Sequence, residues 1–206
     1  MQYTEVTLSK LISYINQGKT PGRKYLEDFI YFKIQSGSPQ FRVYANAKFS
    51  HAPNVVAWLK SYLEKTPSHG VTAFKVVGPA AIAGRKDTIV IYCSTREAAA
   101  ALGNELAKLS GHFNPELPAM TTPVKAGIGV ATGAEPVWQA TGLGQKPKGY
   151  SEKAQSFGTI RSELIAMAVL NYNANRHVFG EGFDVFATFV AAAFRGYGLD
   201  PERPGD

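Results

Sequence analysis

The sequence predicts an α+β fold, a mainly antiparallel sheet flanked by helices in a single domain, and three observations carry that expectation. Segments with helical spacing alternate with groups of short β-rich runs, so the element order is helix, strands, helix, strands, helix, helices. Short turn-forming links join neighbouring runs, which suits antiparallel pairing. A chain of 206 residues, 45% hydrophobic and 18% charged, is long enough to bury a core and fits one domain better than two.

Taken in order, Thr7 can cap a first helix whose apolar face is Leu8, Leu11, Ile12 and Ile15, ended by the stretch 18–22 with Pro21. Residues 29–34 and 40–45 read as adjacent strands around the Ser-Gly-Ser-Pro of 36–39. Pro53 suits the first turn of a helix carrying Val55, Val56, Leu59, Tyr62 and Leu63, which the run 66–70 breaks. Residues 71–77 and 88–93 are the next strands, with the basic Gly84-Arg85-Lys86-Asp87 between them. Ser94 and Glu97 form a capping box for a helix through 98–109, terminated by Gly111.

Residues 115–150 are rich in Gly and Pro without a sustained period, which reads as a long structured loop or a substrate-covering segment. Two helices close the chain, 156–171 with Ile160, Leu164, Ile165 and Ala168, and 183–194 with Phe186, Phe189 and Val190. The domain thus divides into an N-terminal helix and first strand (1–40), a core (41–200) and a frayed polar tail (201–206).

Several function classes fall away on composition. A net charge of +6 and pI near 9.3 favour an anionic partner such as a phosphopeptide, nucleic acid or acidic peptide; the same charge also serves solubility alone. No run of five Lys/Arg exists and aromatics do not interleave with basic residues along a strand, which sets nucleic acid aside. No apolar run approaches bilayer length and residues 1–10 lack a signal-peptide layout, so the expectation is a cytoplasmic protein with no membrane partner. Cys93 has no second cysteine, which excludes an internal disulfide and a Cys-rich metal site and agrees with a reducing compartment.

His51, His69, His112 and His177 are too scattered for a metal-ligand pair on one element and read as surface or capping residues. The glycines of Gly127-Ile-Gly129-Val-Ala-Thr-Gly133 miss the dinucleotide spacing, and no Gly-x-Ser-x-Gly elbow offers a nucleophile.

What remains is a set of cations. Lys75 lies in the apolar strand Ala-Phe-Lys-Val-Val; alternation puts Ala73 and Val77 on its face, and that face is either solvent or a site. Period two also sets Arg42 and Tyr44 on one face of an earlier strand, while Arg85 and Lys86 lead into the strand that holds Tyr92. Arg161 sits in the first turns of its helix, where the macrodipole disfavours a cation by about 0.3–1 kcal/mol. A bound phosphate would reverse that sign, whereas a solvated first turn would leave it small.

Arg42-Val43-Tyr44-Ala45-Asn46-Ala47, the Ala52-Pro53 helix start, Phe74-Lys75-Val76, Arg85-Lys86-Asp87 with Val90-Ile91-Tyr92, Ser156-Phe157-Gly158 with Arg161, and Gly198-Leu199-Asp200-Pro201 together resemble the HopA-type effector family. That family includes type III effectors of plant pathogens and the stand-alone lyases of class V lanthipeptide and thioamitide biosynthesis. The resemblance runs from about residue 41 to 204 and rests on the order and spacing of these segments. More distantly they are similar to bacterial phosphothreonine lyases, which carry a Lys-x-His strand, a Lys-Val strand and an Arg-then-Tyr strand, and this implies a phosphothreonine-lyase-like fold.

The resemblance implies that Lys75 is the base and Tyr92 the strand tyrosine, that Arg85 or Lys86 replaces a phosphate-binding arginine, and that Arg161 is a later one. Tyr44 stands where the family has a general-acid histidine and Arg42 where it has a lysine, a departure from the pattern. The expected activity is elimination of phosphate from phosphoserine or phosphothreonine in a precursor peptide, giving dehydroalanine or dehydrobutyrine without a cofactor. Neutral Lys75 would take the Cα proton, the cations would hold a phosphate of about −1.5 to −2 charge, and Tyr44 would serve the leaving oxygen. The implied partners are the phosphorylated precursor peptide and a separate kinase-like protein in complex with this one. A second reading is a non-catalytic phosphopeptide-binding subunit of that kinase, and a third is an effector delivered into host cells.

Overall fold

Apolar and β-branched residues at period two build the centre of the molecule. In a computed structural model that describes residues 4–5, 29–78, 84–134 and 157–205, seven strands form one sheet. They are β1 (Thr4–Glu5), β2 (Phe29–Lys33), β3 (Phe41–Ala45), β4 (Val71–Val77), β5 (Ile89–Cys93), β6 (Thr122–Pro123) and β7 (Val130–Ala134), in the order β1-β2-β4-β5-β3-β7-β6. β2–β4, β4–β5, β3–β5 and β6–β7 pair antiparallel, and β1–β2 is parallel. The α+β architecture is as expected. The chain gathers into two compact units, Met1–Gly133 with the sheet and Ala134–Asp206 with the last two helices.

In the first unit, one face of the sheet is a conventional core. Ile30, Phe32, Val43, Ala45, Phe74, Val76, Ile89 and Ile91 pack against Val55, Val56 and Leu59 of α1 (Ala52–Lys65) and Ala99, Leu102 and Leu106 of α2 (Arg96–Ala107). Pro53 sits in the first turn of α1, where its missing N–H leaves nothing unsatisfied. The expected first helix at 7–15 lies outside the described residues.

Strand order departs from expectation. The strands at 29–34 and 40–45 are not neighbours, because β4 and β5 lie between them. The Ser-Gly-Ser-Pro link crosses the sheet end instead of turning back: Ile34 and Gln35 N–H groups donate to Thr72 O, and Gln40 N–H to Cys93 O. That link has no Asn-Gly-type pair to force a tight hairpin.

The cap of α2 also shifts by one residue. Thr95, not Ser94, accepts from the Ala98 N–H (3.1 Å), while the Ser94 hydroxyl donates to Gly70 O (3.1 Å) and ties the helix entry to the start of β4. Thr95→Ala is expected to lower stability by about 1 kcal/mol, read as a shift in the urea midpoint, with Ser94→Ala costing no more.

β6 and β7 lie inside the stretch read as aperiodic loop, whose residues 135–150 lie outside the described set. In the second unit, α3 (Phe157–Phe179) runs well past residue 171 and α4 (Phe183–Gly196) follows. Tyr172 packs edge-on to Phe186 and Phe189, at 5.6 and 6.0 Å between ring centres, and its hydroxyl accepts from the Gly182 N–H. α4 closes at Gly198, whose φ of +81° lets the Leu199 N–H reach back to Phe194 O (2.9 Å).

The tail read as frayed in sequence makes several bonds among its described residues. The Arg161 guanidinium donates to Pro204 O, the Glu202 N–H to an Asp200 carboxylate oxygen (2.9 Å), and Leu199 is buried. A buried arginine supplies donors that a polar tail carbonyl can satisfy, which composition does not reveal.

Candidate functional site

The opposite face of the sheet is also buried, yet it carries charge. Residues opposite one another in the ladder point to the same side, so the register maps that face directly. One row runs Tyr31, Lys75, Val90, Tyr44 across β2, β4, β5 and β3; the next runs Lys33, Ala73, Tyr92, Arg42. Phe29, opposite Val77, belongs to the row before them. Val90 and Ala73 are the short residues of these rows, set between the longer side chains of Lys75, Tyr44, Tyr92 and Arg42. With strands about 4.8 Å apart, the Lys75 and Tyr44 backbones are about 10 Å from each other across β5.

Lys75 does not point to solvent: the residue is only 6% exposed. Burial, then the nearby Arg42 guanidinium, pushes its amine down from 10.5 to about 8; Asp87 pulls it back up and Arg85 adds a smaller downward push. Its Nζ lies 4.0 Å from the centre of the Phe29 ring, and the Arg85 guanidinium carbon lies 4.6 Å from the same ring. Arg42 is buried and stacks 4.8 Å over Tyr92, which in turn lies 6.1 Å from Tyr31. Each of these cations therefore rests on a π face, which favours a cation without neutralising it.

Arg85 donates from Nε and Nη2 to the two carboxylate oxygens of Asp87, at 2.9 and 2.8 Å. Thr88 anchors the following strand entry: its hydroxyl donates to Ala45 O (2.9 Å) and accepts from the Ala47 N–H (2.7 Å). Lys86 is exposed. The structure thus brings Lys75, Arg42, Tyr44 and Tyr92 onto one buried sheet face, with Arg85 joined to it through Phe29.

Arg161, the remaining residue picked out by the sequence, belongs to the second unit. It is 2% exposed and bonded to Pro204 O, not in a solvated first turn. Phe29, Tyr31 and Asp87 are members of the site that sequence reasoning missed. Alternation along β2 does place Phe29 and Tyr31 on one face, and that signal was available.

Burial raises the Cys93 thiol to about 12, so it is an inert core residue. Among the described residues no three His, Cys, Asp or Glu side chains gather as a metal site. His69 proves to be a capping residue, its Nδ1 accepting from the Val71 N–H (2.8 Å), and burial lowers its pKa. No described helix is long and apolar enough to cross a membrane.

The profile of the HopA1 effector protein family matches residues 16–205. The chain belongs to that family. Two solved structures share its fold, both effector proteins of Pseudomonas syringae. The one from pathovar tomato strain DC3000 superposes with a TM-score of 0.64 at 19% identity, over 95% of this chain and 67% of that one. The one from pathovar syringae strain 61 gives 0.61 at 20% identity, over 93% and 66%. This HopA1-family chain therefore spans about two thirds of each relative's length. Among curated proteins, none matches it in sequence.

Proposed function

We propose that this HopA1-family protein is a cofactor-independent lyase acting on phosphoserine or phosphothreonine in a peptide. The carrying observation is Lys75: a buried amine whose proton affinity has fallen to about 8, beside Arg42 and close to Arg85. Elimination needs a base for a weakly acidic Cα proton and concentrated positive charge for a departing dianion. Lys75 takes the Cα proton, the Cα–H electron pair becomes the Cα=Cβ double bond, and the Cβ–O bond breaks with its pair going to phosphate. Dehydroalanine or dehydrobutyrine remains.

Arg42 and Arg85 face the phosphate, with the exposed Lys86 at the approach; Tyr92 orients Arg42, and Tyr44 stands on the same face to serve the leaving oxygen. The chemistry needs no metal. These steps are assigned to residues of the first unit; the Arg161 guanidinium donates to Pro204 O within the second. In a biosynthetic setting within the cytoplasm, a separate kinase-like protein would install the phosphate on the precursor peptide.

Intact-mass analysis of a phosphoserine/phosphothreonine peptide incubated with the protein, with Lys75→Ala in parallel, tests this. A loss of one phosphoric acid with the parent and none with the variant is the expected result. Retained phosphate in every sample, with a kinase-like partner added, would instead favour the reading as a non-catalytic phosphopeptide- or precursor-peptide-binding subunit of that kinase.

A further inference from the structure

We propose that Asp87 is the positioning residue of this site: its carboxylate fixes the Arg85 guanidinium against the same Phe29 ring that carries Lys75 Nζ, so that both cations meet an incoming phosphate in a set geometry. Three observations converge on it. The Arg85–Asp87 pair is a two-bond fork, the arrangement that restrains a guanidinium in plane as well as in position. Phe29 is 3% exposed and carries two cations on one ring, an arrangement that charge repulsion opposes unless an anion stands close by. Asp87 supplies that anion, one residue before the Thr88 anchor that fixes its backbone to the end of β3.

The alternative for such a pair is an ordinary surface ion pair. With side chains 36% and 25% exposed, that alone would contribute about 0–1 kcal/mol and leave Lys75 untouched. The shared ring separates the two cases, since Lys75 Nζ and the Arg85 guanidinium lie 4.0 and 4.6 Å from the centre of Phe29, so a change at Asp87 reaches both cations. Asp87 works through Arg85 and Lys75 and is not itself a catalytic group.

The purpose assigned to Asp87 rests on the lyase reading, but its test does not. The Lys75 side chain is titrated by NMR in lysine-labelled protein without substrate, Lys75→Met assigning the signal. Asp87→Asn keeps the shape and one acceptor but removes the charge, and its Lys75 midpoint is expected below that of the parent. Arg85→Gln removes the opposing charge and its midpoint is expected above. If the lyase reading holds, the acidic limb of the elimination profile moves the same way in each variant.

A midpoint in Asp87→Asn equal to or above the parent's, or shifts of the same sign in both variants, would overturn the proposal. Should one variant fail to fold, the sign in the other still decides. Opposite shifts without any elimination would sink the lyase reading and leave the electrostatic arrangement standing.

Discussion

Elimination is expected to rise about tenfold per pH unit up to pH 8 and then level off, and Lys75→Ala is expected to lower it by about 10²–10⁴-fold. The lower limb belongs to kcat/KM, which reports the free protein. A phosphate dianion bound beside the amine favours its charged form, so the limb of kcat should lie at higher pH than that of kcat/KM. Lys75→Arg keeps the charge but cannot lose its proton, so it should bind phosphopeptide and fail to eliminate. Full elimination by Lys75→Arg would remove Lys75 as the base.

The same shift has a consequence for stability that needs no substrate. Between pH 8 and 10.5 the unfolded chain holds a proton on Lys75 that the folded protein has released, so stability rises with pH through that window. Below pH 8 the folded protein carries the buried ammonium and its full cost, about 3 kcal/mol by the size of the shift. Contact with the Phe29 ring returns part of this, about 0.5–2 kcal/mol. Lys75→Met should therefore be more stable than the parent at pH 7 by about 1–2.5 kcal/mol, with the difference vanishing towards pH 10.5. Urea midpoints at pH 7 and pH 10 check both the sign and the window. A gain in stability on removing Lys75 would mean that packing does not account for its place at the centre of the sheet.

The parts of the site that were legible are those set by local periodicity. Alternation alone places Arg42 with Tyr44, and Lys75 with Ala73 and Val77, because side-chain direction in a strand depends on nothing beyond the strand. Which strand lies beside which is non-local. The expected pairing of β2 with β3 failed for that reason, so the sequence alone did not set Tyr31 opposite Lys75, where the register places it. Asp87 was hidden in a segment read for its positive charge, although its partner is only two residues away.

Arg161 shows the same division. Its place early in a helix was readable, but the carbonyl that receives it is 43 residues further along. Likewise β7 has a small, glycine-bearing sequence with no apolar alternation to announce it; the strand exists because of what the backbone around it permits.

That permission resides in Gly129, and Gly129→Ala is expected to lower stability by on the order of 4 kcal/mol, at the upper end for a single substitution. A Cβ there would lie 1.7 Å from Asn114 O and 3.2 Å from Asn46 Cβ. The first obstacle is backbone and cannot rotate aside. The backbone around it is also committed: Asn46 N–H donates to Gly129 O (2.8 Å), Asn114 N–H to Asn46 O (2.8 Å), and Asn46 Nδ2 to Glu116 O (2.9 Å). Asn46 is 3% exposed, so separating these strands would leave several buried polar groups unsatisfied at about 1–3 kcal/mol each.

Gly111→Ala is the control, since a Cβ there meets nothing within 4 Å and the backbone is ordinary. A Gly129→Ala variant no less stable than Gly111→Ala in urea would show that the close approach is not a constraint. The effect should also reach the site, because Asn46 follows β3 directly and lies two residues beyond Tyr44. A glycine that resembles a nucleotide-binding motif in sequence thus acts as a clamp on the strand that carries Arg42 and Tyr44. Elimination by any folded fraction of Gly129→Ala is accordingly expected to fall more steeply than that of Gly111→Ala.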